Sequence, residues 1–320
     1  MALKYHKVFD SIREIIRIIE KEQLLKDERP VTTFNPSLRP GDVFIVLSIT
    51  FTAAALRYFL QIKLLPLWFS KFSRIRRRKI CENIFYTVFY IFSFWYGVIV
   101  ITKENWTVDP RESIIREFWT PFPVPMSSLF RSYYLMEAGY YCGALLFLSF
   151  DTKRSDFMEF VIHHSSTIFL VLISYIFGYV RVGLYILCLH DASDILLYLA
   201  KVLYYVRWNA DVYVFSFFVI VFYLTRLVLY PRVVWSVAVD TLRMVLEKPW
   251  FNHWAAHWEF YLLHYFLCLI ALVILQLLHC FWFSLALRMV YRTLSASTEA
   301  LRQDGGDIRS DDEEEDEKDD

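Results

Sequence analysis

Cysteine is sparse in this chain and net charge is missing. Five cysteines in 320 residues, at 81, 142, 188, 268 and 280, show no pairing or metal-ligand spacing and exclude a disulfide scaffold. They read as small apolar residues within helices. Polar residues are short as well. Hydrophobic residues make up 57% and aromatic residues 19%, against about 45–50% apolar in a soluble domain. That excess argues against an ordinary globular enzyme and against intrinsic disorder. No internal repeat is found. The zero net charge is a sum of unlike parts: residues 304–320 carry −9, so residues 1–303 carry +9. A basic, aromatic, apolar body with an acidic tail reads as an integral membrane protein.

A membrane-crossing helix needs about 20 largely apolar residues. Segments 84–102 and 260–287 contain no charge, and 160–180 contains only His163 and His164. Four more carry interruptions: 43–65 (Arg57), 132–150 (Glu137), 182–200 (Asp191, Asp194) and 211–230 (Arg226). The expectation is therefore an all-α, polytopic membrane helix bundle of about seven transmembrane helices. A β-barrel is excluded, because the runs are too long and too uniformly apolar to alternate in and out.

Loop charge sets the direction. The link 63–79 holds seven basic residues and no acid, which makes it cytosolic, along with 151–156, 201–207 and the C-terminus. The opposite side receives 102–131, 178–181 and 231–258. The sequon Asn105-Trp106-Thr107 falls there, as a glycosylation acceptor at Asn105 should. The first 42 residues dissent, since they carry eight basic residues on the same side. Within them Val8, Phe9, Ile12, Ile15, Ile16 and Ile19 oppose Arg13, Glu14, Arg17 and Glu20. That pattern is an amphipathic helix, either on the membrane surface or packed against the bundle or a partner, rather than a signal peptide.

Charges inside the spans are the informative residues, because each costs about 2.5–3.5 kcal/mol at mid-membrane. Asp191, Asp194 and His190 share one span, and His163 and His164 lie on the preceding one. The short link between these spans makes them antiparallel neighbours. At about 1.5 Å per residue, the histidine pair and Asp194 both lie roughly 10 Å in from the cytosolic end. His190, Asp194 and Tyr198 follow one helix face. Lone histidines such as His264 and His279 read as hydrogen-bonded packing residues. The converging group fits either acid–base or nucleophilic catalysis, in which a carboxylate orients an imidazole, or a His/Asp metal site. The HxxH and HxxHH boxes of membrane di-iron enzymes are missing, and His253 and His257 fall on the far side. Catalysis without metal or cofactor is the expectation.

One continuous pattern carries a resemblance. It runs Tyr133-Tyr134, Asp151-x-x-Arg154-x-Asp156-Phe157, His163-His164-x-x-Thr167, Ser174-Tyr175, Arg181-x-Gly183, Leu189-His190-Asp191-x-x-Asp194 and Lys201. It resembles the Lag motif of ceramide synthases, the acyl-CoA-dependent sphingoid-base N-acyltransferases of the TLC-domain group. The likeness covers roughly residues 77–292 and includes Arg226, Tyr230, Pro231 and Leu275-Gln276-x-x-His279-x-Phe281-Trp282. Ser155 departs from it, since many members carry Lys there, and no homeobox-like insert separates the first two spans.

The resemblance implies a six-helix TLC-type core and transfer of a fatty acyl group from acyl-CoA, a co-substrate, to a long-chain base in the endoplasmic reticulum membrane. It implies the organisation 1–42 amphipathic, 43–65 first span, 66–81 basic link, 82–292 catalytic TLC domain and 293–320 acidic cytosolic tail. His163, His164, Asp191 and Asp194 become the expected catalytic residues, with His190, Tyr198 and Arg181 supporting them. Either His163 forms an acyl-imidazole, or His163 or His164 serves as general base for direct attack. Arg76, Arg77, Arg78, Lys153, Arg154, Lys201 and Arg207 are the candidates for the CoA phosphates; the basic run reads equally as a topology signal touching anionic lipid. Ser310, followed by four acids, fits an acidophilic kinase site. Further expected partners are membrane lipids, a second synthase subunit or a small accessory subunit, and no nucleic acid. The rival readings are a non-catalytic TLC-domain protein that senses or carries lipid and a seven-span receptor.

Overall fold

The computed structural model describes residues 37–104, 118, 124, 126–148, 155–242 and 258–295, and every regular element among them is helical. The N-terminal amphipathic segment, Asn105, Lys153, Arg154, His253, His257 and the acidic tail with Ser310 lie outside the described residues. Among the described residues seven long helices follow one another: α1 (Asp42–Trp68), α2 (Arg74–Lys103), α3 (Ser128–Phe147), α4 (Phe157–Phe177), α5 (Val180–Val206), α6 (Asp211–Asp240) and α7 (Trp258–Ser295). Each coincides with one expected span. All but α3 are long and apolar enough to cross a membrane by themselves. Helix α3 carries Arg131, Glu137 and four tyrosines in 20 residues, so its place rests on burial among its neighbours.

Local chemistry sets the ends. Ser73 and Ser127 cap α2 and α3 by accepting from the backbone N–H of Arg76 and Phe130. Gly178, at φ 82°, stops α4 in the left-handed region that costs glycine nothing, and Gly178 and Tyr179 alone link it to α5. Two π-helical stretches, Phe59–Leu64 in α1 and Tyr223–Leu229 in α6, each lie just before a proline. Pro66 and Pro231 lack an N–H and crowd the carbonyls of Ile62 and Leu227, four residues back, so the turn widens.

Helix α2 packs on α5, α5 on α6, α6 on α7, α7 on α4, α4 on α3, and α3 back on α2. This closes a ring of six helices. Helix α1 stays outside, against α3 and α2; only 11% of its membrane-crossing stretch is buried, against 50% for α5. Gly139 and Gly143, one turn apart on α3, seat it. A Cβ at Gly139 would meet Ile49 Cγ2 at 2.6 Å, and Thr50 Oγ1 donates to the Gly139 carbonyl at 3.1 Å. Small residues allow this approach where lipid supplies no hydrophobic drive between helices. Asp42 adds a polar clasp, accepting from Arg131 of α3 and from the Tyr175 hydroxyl of α4 at 2.6 Å.

Neighbours in the ring run antiparallel. Tyr96 meets Tyr133 while Phe89 meets Tyr140; Tyr134 meets Tyr175 while Tyr141 meets His164. The expected antiparallel contact of α4 and α5 is present, yet the main partner of α5 is α2. Helix α5 therefore shows one face to α2 and α3 and another to α6.

Candidate active site

Basic residues gather at one end of the ring. Arg76, Arg77, Arg78 and Lys79 open α2, Lys201 lies in the last two turns of α5, and Arg207 follows in the left-handed conformation. Lys79 Nζ sits 5.7 Å from the ring of Tyr205, which brings these two groups to the same end. Helix α4 begins there too. Asp156, at its first turn, accepts from Trp282 Nε1 of α7 at 3.0 Å.

Two turns further along α4, His163 and His164 enter the interior, 9% and 7% exposed. His163 lies between three rings: His164 at 5.5 Å, Trp282 at 5.2 Å and His190 of α5 at 6.1 Å between centroids. His190 Nε2 is 3.0 Å from Nε2 of His279 on α7. Four imidazoles from three helices thus form one row. Hydrogen bonding orients three of the four rings. His190 Nδ1 faces the Ile186 carbonyl at 2.7 Å and His164 Nδ1 the Phe160 carbonyl at 2.9 Å. A carbonyl only accepts, so both Nδ1 atoms carry the proton, and a neutral His190 then accepts at Nε2 from His279. His163 Nδ1 has no hydrogen-bond partner among the described residues.

The two acids of α5 diverge. Asp194 Oδ1 accepts from Arg226 at 2.5 Å, in the π-helical stretch of α6. The same guanidinium donates to Ser193 Oγ at 3.0 Å and to the His190 carbonyl at 3.1 Å, so it also braces the turn that presents the imidazole. Asp191, fully buried, faces the other way: its Oδ2 is 2.6 Å from Ser93 Oγ of α2, and the same hydroxyl bonds Glu137 of α3. Neither acid therefore builds a carboxylate–imidazole pair with His163.

Several other expected residues lie elsewhere. Tyr198 stacks on Tyr86 and Tyr90 at 4.6 and 5.5 Å, on the α2 side. Arg181 sits in the first turn of α5, at the end away from the basic cluster. His264 bonds the Tyr179 hydroxyl at 2.8 Å and stacks on Phe177, as a packing residue should. His279 is hydrogen-bonded as expected, but its partner is the imidazole row itself. Spacing gave no signal for Ser93 or for the role of Glu137, which read only as an interruption of the third span. Among the described residues no three His, Cys, Asp or Glu side chains converge to hold a metal ion.

On the side away from the basic end, His190 of the histidine row borders a partly open pocket. Tyr141, Thr167 and His190 line its near end, and Tyr179, Val237 and Tyr265 its far end. The walls between are almost wholly apolar.

Residues 79–288 match the family model of the TLC domain. The chain is 36% identical over 241 residues to ceramide synthase 4 of Bos taurus, covering 74% of this chain and 55% of that protein. It is 32% identical over 242 residues to ceramide synthase hyl-1 of Caenorhabditis elegans, covering 74% and 61%. Against sphingosine N-acyltransferase lag1 of Schizosaccharomyces pombe it is 30% identical over 254 residues, covering 76% and 61%. The chain thus spans little more than half the length of these curated relatives. The matched segment begins in the first turns of α2 and ends in the last turns of α7, taking in all six helices of the ring: the chain belongs to the TLC-domain family.

Proposed function

We propose that this protein is a ceramide synthase of the endoplasmic reticulum membrane, transferring a fatty acyl group from acyl-CoA to the amine of a long-chain sphingoid base. The relatives' names support this reading, and one geometric observation carries it. The imidazole row lies between a basic end and a long apolar cavity, with the basic end on one side and the cavity on the other. Such a site suits a molecule with a polyanionic head, a reactive carbonyl at its middle and a hydrocarbon tail. The CoA phosphates stay at the basic end, facing the cytosol, near Arg76–Arg78, Lys201 and Arg207. The thioester reaches the histidines, roughly 10 Å in, and the acyl chain fills the cavity.

In the proposed mechanism His163 attacks the thioester carbon. The new C–N bond forms as the C–S bond breaks, and the imidazole proton leaves with the CoA thiolate. The sphingoid amine then attacks the acyl-imidazole; its C–N bond forms, the bond to His163 breaks and the amine proton returns to the ring. His164, whose Nδ1–H is held by the Phe160 carbonyl, presents Nε2 as a proton acceptor. Arg226 and Asp194 hold the turn that carries His190.

Microsomes containing the protein should convert acyl-CoA and a sphingoid base to ceramide, and His163→Ala should abolish the product while leaving expression unchanged. Incubation with acyl-CoA alone, followed by peptide mapping, should find the acyl adduct on His163. Product without an adduct replaces the covalent route by direct attack with a histidine as general base. No product from the wild type leaves the non-catalytic, lipid-carrying reading.

A further inference from the structure

Ser93, Glu137 and Asp191 come from three different helices, and each is buried to within 1%. The Ser93 hydroxyl lies within hydrogen-bonding distance of one oxygen of each acid. A hydroxyl has one hydrogen and an ionised carboxylate can only accept. One of the two contacts therefore needs a second proton, carried by one of the carboxyl groups. Were both acids ionised, one would face the hydroxyl oxygen unbonded, in a fully buried place. The titratable groups around the pair are Tyr133, Tyr134, Tyr140, Tyr141, Cys188, Asp194 and Arg226. Of these only Arg226 is a cation, and it is committed to Asp194, Ser193 and the His190 carbonyl.

We infer that Glu137 carries this proton and donates it to Ser93 Oγ, while Ser93 donates its own hydrogen to Asp191. Glu137 is then a positioning residue. It keeps Asp191 ionised and holds its Oδ2 in one direction, so that Oδ1, which has no partner among the described residues, remains an acceptor in the bundle interior. The other arrangement, with the proton on Asp191, would leave that carboxyl neutral. Helix order supports the assignment. Among the described residues neither acid has a cation bonded to it, but Asp191 shares α5 with Arg226's partners and feels the guanidinium charge, whereas Glu137 sits on α3 away from it. The value of an ionised Asp191 to the reaction rests on the acyl-transfer reading above; the shared proton does not.

The test is difference infrared spectroscopy of the full chain in lipid nanodiscs, without substrate, with the carboxyl carbons of Glu or of Asp labelled in separate samples. Wild type at neutral pH should show a protonated-carboxyl C=O band that moves with the Glu label and disappears in Glu137→Gln. Ser93→Ala should shift that band without removing it, because the acid loses its acceptor; this variant keeps the question open to measurement if Glu137→Gln does not fold. A band that moves with the Asp label and vanishes in Asp191→Asn overturns the assignment to Glu137. Absence of any protonated-carboxyl band that is lost in either Glu137→Gln or Asp191→Asn overturns the shared proton altogether. In the transfer assay Glu137→Gln, which still has a donor for Ser93, should keep about tenfold more turnover than Glu137→Ala. The Glu137 band in a protein that transfers nothing sinks the function and supports the proton assignment, so the two readings fail separately.

Discussion

The two faces of α5 solve the same problem in different ways. Both hold an acid within a membrane bundle, three residues apart, Asp191 fully buried and Asp194 partly so. Toward α6, Asp194 is matched by a full opposite charge, with Arg226 bonded to it and to two neighbouring oxygens. Toward α2 and α3, Asp191 meets a hydroxyl and a second acid, and no cation bonds to it. A compensated pair fixes structure, because removing either member strands a charge. An uncompensated acid held by hydroxyl and shared proton stays available for proton chemistry. The first face therefore looks like the brace of the proposed site and the second like its working side.

The difference can be tested through stability. Arg226→Leu should cost the most, about 3 kcal/mol, because the partly buried Asp194 is left without its cation. Adding Asp194→Leu should restore more than half of that loss in denaturant unfolding from detergent micelles. A double variant as unstable as the single would break the comparison, since the pair would then not be what holds the α6 face. On the other face Ser93→Ala should cost less, about 1–3 kcal/mol, the range for leaving buried polar groups unpaired. If Ser93→Ala destabilised as much as Arg226→Leu, the α2 face would be as charge-locked as the α6 face.

How much of this could be read from the sequence follows from what periodicity and spacing encode. Length and hydropathy place six of the seven helices outright, since a span must be apolar and about 20 residues long, and α3, interrupted by Arg131 and Glu137, is the weakest of the set. The rise per residue puts His163, His164 and the α5 acids at neighbouring depths, and the two-residue link at Gly178 makes α4 and α5 antiparallel. Ring order is another matter. Nothing local says that α5 packs chiefly on α2, a helix nearly a hundred residues earlier, because that choice belongs to complementary surfaces. The fate of the two acids hangs on it. Three residues separate Asp191 and Asp194, or about 60° around the helix, enough to send one to α2 and the other to α6. Ser93 is one serine in a long apolar run, and His279 one histidine in another; each gains meaning only from its partner across the ring. Tyr198 follows His190 and Asp194 at helical spacing, yet it turns to the tyrosines of α2.

That tyrosine supplies the smallest and most discriminating test. Its ring stacks at 4.6 Å on Tyr86 and 5.5 Å on Tyr90, and these three form a small buried cluster of their own between α2 and α5. The cluster lies on the same face as Asp191 but nearer the basic end, two turns of α5 further on. Its ring pairs are worth about 0.5–1.5 kcal/mol each beyond burial. Tyr198→Leu keeps an apolar side chain and loses that part alone, so unfolding should shift by no more than about 1–3 kcal/mol for the two pairs. Turnover per folded molecule should fall by less than about threefold, a barrier change under 1 kcal/mol. A large loss of turnover with full stability would place Tyr198 in the chemistry after all, and would mean that the working side of α5 extends from Asp191 toward the basic end. A loss of stability alone confines the uncompensated chemistry to Ser93, Glu137 and Asp191.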